Sequence, residues 1–420
     1  MSWMRGRLGD LADLSLGKML DKVKNKGVLR PYLANVNVRW GAFDLSALRE
    51  MRFEERELER YGIRSGDIVM CEGGEPGRCA IWREQLPGMM LQKALHRVRA
   101  GAGIDHRFLF YSLTHKGQTR ALDQYFTGST IKHLPNEKLA LVEVEYPPIE
   151  EQRRIADILS AYDDLIDNNT RRIVILEEMA KRTFEEWFVR FRFPGHERVR
   201  MRASDDGLVP ETWERSHLSD LCKSIEDGDW VESKDQGGED FRLLQISNVG
   251  INRFVETGNY RFISRDTFTR LRCREIVPGQ ILIARMPTPI GRAWLVTPKP
   301  WKMITAVDVA IAEAEVSRTS PEFLLHFLNS EATLAAFATQ ASGTTRLRIT
   351  RRQIAAMRVL APPPTLAHQF SKVVGPMNAL VEVLTRSNEE LLVARNLLLP
   401  KLITGELEVS AMSVSGTNAP

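Results

Sequence analysis

The sequence predicts an α+β fold. Two copies of one α/β domain are joined by two long helices, which pair as an antiparallel coiled coil about a pseudo-two-fold axis. Three observations predict it. The 420-residue chain is too long for one ordinary core. Short stretches of its first half recur, in order, in its second half. Each half also ends in a helical stretch with a regular apolar seam.

The recurrence starts with "WMRGRLGDL" (Trp3–Leu11), which shares Trp, Arg, Leu, Asp and Leu in register with "WERSHLSDL" (Trp213–Leu221). "YLANVNVRWGAF" (32–43) lies over "LLQISNVGINRF" (243–254), so that Leu33, Asn37, Val38 and Phe43 meet Leu244, Asn248, Val249 and Phe254. "RSGDIVM" (64–70) lies over "VPGQILI" (277–283), and "TGST" (127–130) over "SGTT" (342–345). The pair Pro147-Pro148 matches Pro362-Pro363, and Gln152 matches Gln369. The offset drifts upward, as a few short insertions would make it do. The chain therefore reads as two copies of one unit, roughly 1–190 and 213–408, and a period this long means duplicated domains rather than a solenoid.

The elements follow in order. Residues 1–148 form the first domain, with short apolar runs such as "GDIVMC" and "LALVEVEY" punctuated by Gly and Pro, the texture of short strands. Residues 149–190 form the central helix. Ile155, Leu159, Tyr162, Ile166, Asn169, Ile173, Leu176, Ala180, Thr183 and Trp187 alternate at spacings of four and three, the heptad seam of a coiled coil. Residues 191–212, charged and without a usable period, read as a linker. Residues 213–362 form the second domain, with strands at "QILIAR" and "AWLVT". Short helical stretches include "SPEFLLHFLNSEATLAAFAT", which Ser320 can cap with Pro321 in the first turn. Residues 363–408 form the distal helix, with its seam at Val373, Met377, Leu380, Leu384, Ser387, Leu391, Ala394 and Leu398. Asn169 and Ser387 are the polar members of the two seams, and antiparallel pairing brings them together at mid-seam. Gly375-Pro376 predicts a kink or break, since Pro removes a helix bond and clashes with the preceding turn. Pro400 is expected to end or bend the far end. Residues 409–420 read as a disordered tail.

Charge separates the helices from the domains. Segment 150–188 holds ten acids against six bases, which disfavours phosphate and suits a spacer or a protein-binding surface. By contrast, 343–360 carries Arg346, Arg348, Arg351, Arg352 and Arg358 with no acid. Six further arginines lie in 253–274, against Glu256 and Asp266. Basic patches on the domains are the pattern of a nucleic-acid footprint. Two strand–loop–strand stretches, "CEGGEPGRCAIW" (71–82) and "ARMPTPIGRAW" (284–294), each carry Gly-Arg at the far end of the loop, Gly77-Arg78 and Gly291-Arg292. Loops of this kind can offer Arg78, Arg285 or Arg292 to guanine edges. "SGTTRLR" adds Thr344 and Thr345 to Arg346 and Arg348, and "TGSTIKH" adds Ser129, Thr130 and Lys132, a mixture suited to phosphate oxygens and base edges.

No motif for catalysis stands out. A P-loop, a Gly-rich turn for S-adenosylmethionine and an Asn/Asp-Pro-Pro-aromatic motif are all missing. The eight histidines have no metal-ligand spacing. Asp220 with Glu232, Ser233 and Lys234 only faintly resembles a nuclease set. Cys71, Cys79, Cys222 and Cys273 form no C-x-x-C pair, and no apolar run approaches a membrane span, so a cytoplasmic chain with reduced thiols is expected.

The residues that carry a family resemblance are "YPPIEEQRRIADILSAYDDLIDNNTRRIVILEEMAKRTFEEWF" (146–188), "GLVPETWERSHLSDL" (207–221) and "LLLPKLITGEL" (397–407). They resemble the specificity subunit of Type I restriction-modification enzymes over essentially the whole chain. The resemblance implies that each domain is a target-recognition domain holding one half of a split site in double-stranded DNA. It implies that the helices set the gap and dock two modification (methyltransferase) subunits. S-adenosylmethionine would come with those partners, ATP and Mg²⁺ with a translocating restriction subunit, and no cofactor with this chain. Two alternatives stand beside it: a self-contained DNA endonuclease, and a coiled-coil adaptor without a DNA role.

Overall fold

The structure, a computed structural model, describes residues 3–21, 25–204, 207–343 and 346–409. It divides into two compact units, 1–168 with 387–420, and 169–386. The division falls inside both long helices, not at 191–212.

The two units share one topology. In the first, β1 (Met4–Arg7), β2 (Ala12–Leu16), β3 (Val28–Leu33), β4 (Arg49–Phe53), β5 (Ile68–Cys71), β6 (Cys79–Ile81), β7 (Met90–Leu91), β8 (Leu95–Ala100) and β9 (Glu143–Tyr146) form three sheets, ordered β2-β8-β5-β6, β4-β3-β7 and β1-β9. After the small hairpin β10 (Met201–Ser204) and β11 (Gly207–Pro210), the second unit repeats the plan. Its strands are β12 (Glu214–His217), β13 (Cys222–Asp227), β14 (Phe241–Leu244), β15 (Phe262–Ile263), β16 (Ile281–Ala284), β17 (Ala293–Leu295), β18 (Lys302–Thr305), β19 (Val309–Ala314) and β20 (Arg358–Ala361). They are ordered β13-β19-β16-β17, β15-β14-β18 and β12-β20. In each three-stranded sheet one pair is parallel, β3 with β7 and β14 with β18.

The unbroken apolar runs have a structural cause. All four residues of β5 and of β16 are buried, because alternate side chains enter cores on opposite faces of the sheet. Ile68 and Met70 join one cluster, Val69 and Cys71 another. Ile281 and Ile283 likewise part from Leu282 and Ala284. The recurring Asn37 and Asn248 are buried turn-formers. Each side-chain oxygen accepts the amide three residues back, at 3.0 and 2.8 Å, and each Nδ2 donates to a carbonyl seven residues on.

The first long helix runs Ile149–Phe184, and the second Pro364–Ile403. Wholly buried Gln152 fastens the first to its domain: Oε1 accepts the Asp105 amide at 2.8 Å and Nε2 donates to the Pro147 carbonyl at 2.8 Å. In the first unit Ile155 and Leu159 share a core with Leu399, Leu402 and Ile403, and Asn388 donates to the Ile166 carbonyl at 3.4 Å. In the second, Ile173 meets Val381 and Leu384, with Leu176 and Leu380 against them, and Phe184 lies 6.0 Å from Phe370, ring centre to ring centre. Residue numbers rise along one helix as they fall along the other, so the helical segments within each unit are antiparallel. Asn169 is buried, while Ser387 and Leu391 are half-buried. The two units divide at these two polar positions.

Four expectations need correction. The second helix does not break at Gly375-Pro376. Pro376 lies on the exposed face, where water can bond the carbonyl it leaves free, and Val374 (buried) rather than Val373 (39% exposed) faces the core. Pro400 likewise lies within the helix. Segment 191–212 is not a bare linker. Phe193 is buried against Trp213, 5.7 Å between ring centres, and Val209 is buried on the β10–β11 hairpin, because these apolar side chains recover core contacts that a solvated linker forgoes. Of the tail, Val409 is buried in the first core, and residues 410–420 lie outside the described residues.

Candidate nucleic-acid interface

Each unit builds one end from a strand–loop–strand and a hairpin beside it. In the first unit the hairpin is closed by Thr127 and His133, whose amides and carbonyls bond at 2.8 and 2.9 Å. In the second it is closed by Ser342 and Arg348 at 3.1 and 3.0 Å. Each hairpin is tied to the end of the strand before the loop, Leu134 N to Glu72 O at 2.8 Å and Ile349 N to Arg285 O at 3.1 Å. The shared Gly is required: at Gly128 (φ +91°) and Gly343 (φ +135°) a Cβ would stand 2.3 Å from the carbonyl oxygen of Ile131 and of Arg346.

The Gly-Arg doublets prove to be internal fastenings. Arg292 is 9% exposed, and its guanidinium donates to the carbonyls of Val249 (2.6 Å), Pro287 (2.7 Å), Pro289 (3.2 Å) and Ile246 (2.9 Å). Arg78 repeats part of this, donating to the Asn35 carbonyl at 3.0 Å and to Glu75 at 2.6 Å. Arg285 is 7% exposed and is taken up by Asp227 (2.6 Å) and the carbonyls of Ile349 and Val307. Burial pulls Arg285 and Arg292 below the ordinary arginine value. The expectation that these two read guanine is therefore corrected: their donors are spent inside the fold. Replacing Arg292 with Ala strands several buried carbonyls. It is expected to cost roughly 3 kcal/mol or more of stability, seen as a lower melting temperature with half-site preference unchanged in the surviving folded protein. A stable variant with altered base preference would reverse this assignment.

What stays outward differs between units. In the second, Arg346 and Arg352 are exposed and form no ion pair among the described residues. Arg348 lies 3.1 Å from Asp308, and Arg351 3.7 Å from Asp227. Thr344 and Thr345 lie outside the described residues. In the first unit Ser129, Thr130 and Lys132 are exposed beside an open cleft of about 750 Å³, lined also by Trp40, Glu75 and Phe126. Lys132 stands 3.9 Å from Asp123. Sequence reading missed Asp227 and Asp308, since they come from strand ends remote in sequence, and no local signal marks them.

The acids of the first long helix and of the turn that follows it, Glu185–Val189, are mostly met by neighbours: Glu178 by Arg182 at 2.6 Å, Glu186 by Arg190 at 2.7 Å. Glu177 is half-buried, and burial raises its carboxyl above the usual range, with Arg253 3.9 Å away. Together with Val174, Glu178, Glu185, Val189 and Arg190 it lines a groove of about 990 Å³ in the second unit.

Comparison with known proteins gives this geometry its context. The family described as "Type I restriction modification DNA specificity domain" matches residues 2–178. The MjaIX specificity subunit of a Type I restriction enzyme from Methanocaldococcus jannaschii is 26% identical over 372 residues, covering 86% of this chain and 83% of that one. The MjaVIII specificity subunit of the same organism is 24% identical over 424 residues, covering 98% of this chain and 94% of the other. Among solved structures, the S subunit of the Type I restriction-modification system from M. genitalium superposes with a TM-score of 0.63 at 15% identity, covering 96% of both chains.

Proposed function

We propose that each of the two units reads one half of a split DNA target, because this chain belongs to the Type I restriction-modification specificity family, matched by the family model over residues 2–178 and by relatives along nearly its whole length. The chain is the non-catalytic DNA-recognition subunit of a complex that also holds methylase and restriction subunits. The observation that carries the half-site reading is the paired hairpin and loop, built twice on one topology, with exposed basic side chains at its tip. Two readers fit two half-sites.

In this reading Arg346, Arg348, Arg351 and Arg352 meet DNA in the second unit, and Ser129, Thr130 and Lys132 in the first. The long helices set the gap and dock two modification subunits, one of them at the groove that Glu177, Glu178 and Glu185 line together with Lys181, Arg190 and Arg253. S-adenosylmethionine belongs to those partners, and ATP and Mg²⁺ to the restriction subunit. The setting is the cytoplasm; among the described residues no helix is long and apolar enough to cross a membrane.

Exchanging residues 213–362 for the corresponding part of a relative tests the reading. Genome methylation mapping is expected to find one half of the target changed and the other kept. A swap that alters both halves would contradict independent readers. Cleavage by the purified chain with Mg²⁺ alone would favour a self-contained endonuclease, and salt-insensitive binding a protein adaptor.

A further inference from the structure

Each unit leaves large apolar side chains bare at one matching place, just beyond the first strand of its four-stranded sheet. In the second unit this is Trp230, 69% exposed; in the first it is Met19 and Leu20, 53% and 58% exposed. Met19 and Trp230 stand at the same offset as Leu33 and Leu244. Each follows a pinned residue. The Lys18 amide donates to Leu91 O at 2.8 Å, and the Asp229 amide to Thr305 O at 2.8 Å. Trp230 is the exposed one of the chain's eight tryptophans, and its ring stacks on no other aromatic among the described residues. Leaving an indole in water forgoes its burial. Repetition in both units marks a position rather than an accident of one loop.

The surroundings say what fits there. Three residues before Trp230, Asp227 holds Arg285 and lies 3.7 Å from Arg351. One residue before it, the Asp229 carboxylate accepts the Arg274 amide at 3.1 Å. Several nearby acids are engaged: Glu232 with Lys234 at 2.8 Å and with the Trp230 indole N–H at 3.4 Å, Asp235 with Arg270 at 2.6 Å, Asp308 with Arg348 at 3.1 Å. Arg265, Arg272, Arg346 and Arg352 are exposed and without an ion pair among the described residues. The backbone leading into Trp230 is thus tied at Asp229 to the basic stretch 265–274 and at Asp227 to Arg351, just past the hairpin 342–348. An exposed ring face in a unit that also carries uncommitted arginines suits a polyanion with flat faces.

We propose that Trp230 is an apolar wedge that stacks against a base opened in the second unit's half-site, and that Met19 and Leu20 hold the same place in the first unit. The proposal rests on the hairpins being the DNA-facing ends. A wedge unstacks a base step, and the contact it gains is sequence-tolerant and releases no counterion. Trp230 therefore adds affinity and local distortion, while the arginines supply the salt dependence.

The test uses the full chain with its modification subunits and the target duplex defined by methylation mapping, carrying 2-aminopurine at successive positions of the second half-site. Trp230→Ala is expected to weaken binding about tenfold with the salt slope unchanged, and Trp230→Phe to restore most of it. Wild type should brighten one 2-aminopurine and quench the exposed tryptophan emission, and Trp230→Ala should do neither. Unchanged affinity and unchanged 2-aminopurine signal in Trp230→Ala overturn the wedge. Loss of modification subunits from Trp230→Ala, with DNA binding intact, overturns it in favour of a protein contact. Arg346→Ala in parallel separates the two levels: if it too leaves DNA binding unchanged, the hairpin reading fails as well, and if it alone weakens binding, only the wedge fails.

Discussion

Replacing Arg346 and Arg348 together with Ala lowers affinity for the target duplex about a hundredfold and flattens its salt dependence. Arg346 is exposed on a hairpin whose backbone closes on itself at Ser342 and Arg348, and Arg348 is half-buried at that closing pair. The substitution therefore removes charge without unmaking the loop. An arginine on a base edge is worth about 1–3 kcal/mol, and each lost phosphate contact lowers the logarithmic salt slope by roughly one. Arg346 should carry the larger part, being exposed and uncommitted. Arg348 already has Asp308 at 3.1 Å and gains less on meeting DNA. Binding isotherms across a salt series give both quantities at once. Unchanged affinity and slope would return the pair to ordinary solvated surface.

Lengthening both long helices by four residues widens the gap between the half-sites by one or two base pairs. The insertions belong between Asn168 and Asn169 and between Arg386 and Ser387, where the two units divide. An insertion before Gln152 would instead pull a wholly buried side chain from the Asp105 amide. Each unit keeps its own antiparallel helix pair in register, because both helices lengthen equally and outside each unit. Four residues add about 6 Å of helix and turn it by roughly 40°. DNA rises about 3.4 Å per base pair and turns once in about ten, so length and rotation change together in the same range. The added residues also form a stutter that locally unwinds the coil, and some loss of affinity is expected. Methylation mapping of the variant should return the same half-sites with a longer gap. An unchanged gap, or new half-site bases, would mean that the helices are not the ruler.

Much of the fold is legible in the sequence because its cause is local. A seam at spacings of four and three follows from helix geometry alone, and Ile155, Leu159, Ile173 and Leu384 are buried where that period puts them. The duplication is legible because matched turns need matched residues: Asn37 and Asn248 close the same turn, and Gly128 and Gly343 pass the same carbonyl. The candidate interface is less so. Its hairpins are visible as repeats, but which arginines face water depends on partners far along the chain. Arg292 is consumed by carbonyls at Ile246 and Val249, and Arg285 by Asp227, Val307 and Ile349.

By itself, then, the sequence determined two units of one topology, two long helices and their seams, since turn chemistry and helical period act between near neighbours. Tertiary structure alone decided the rest. It divided the units within the helices, because antiparallel segments complete the core beside them. It turned Val374 inward in place of Val373, because the packing of Phe370 and its neighbours outweighs the break expected at Pro376. It set Asp227 and Asp308 beside arginines that stand acid-free in sequence, because sheet pairing brings distant strand ends together. A guanidinium is committed or free according to which carbonyls and carboxylates the folded chain carries to it, and that no local pattern encodes.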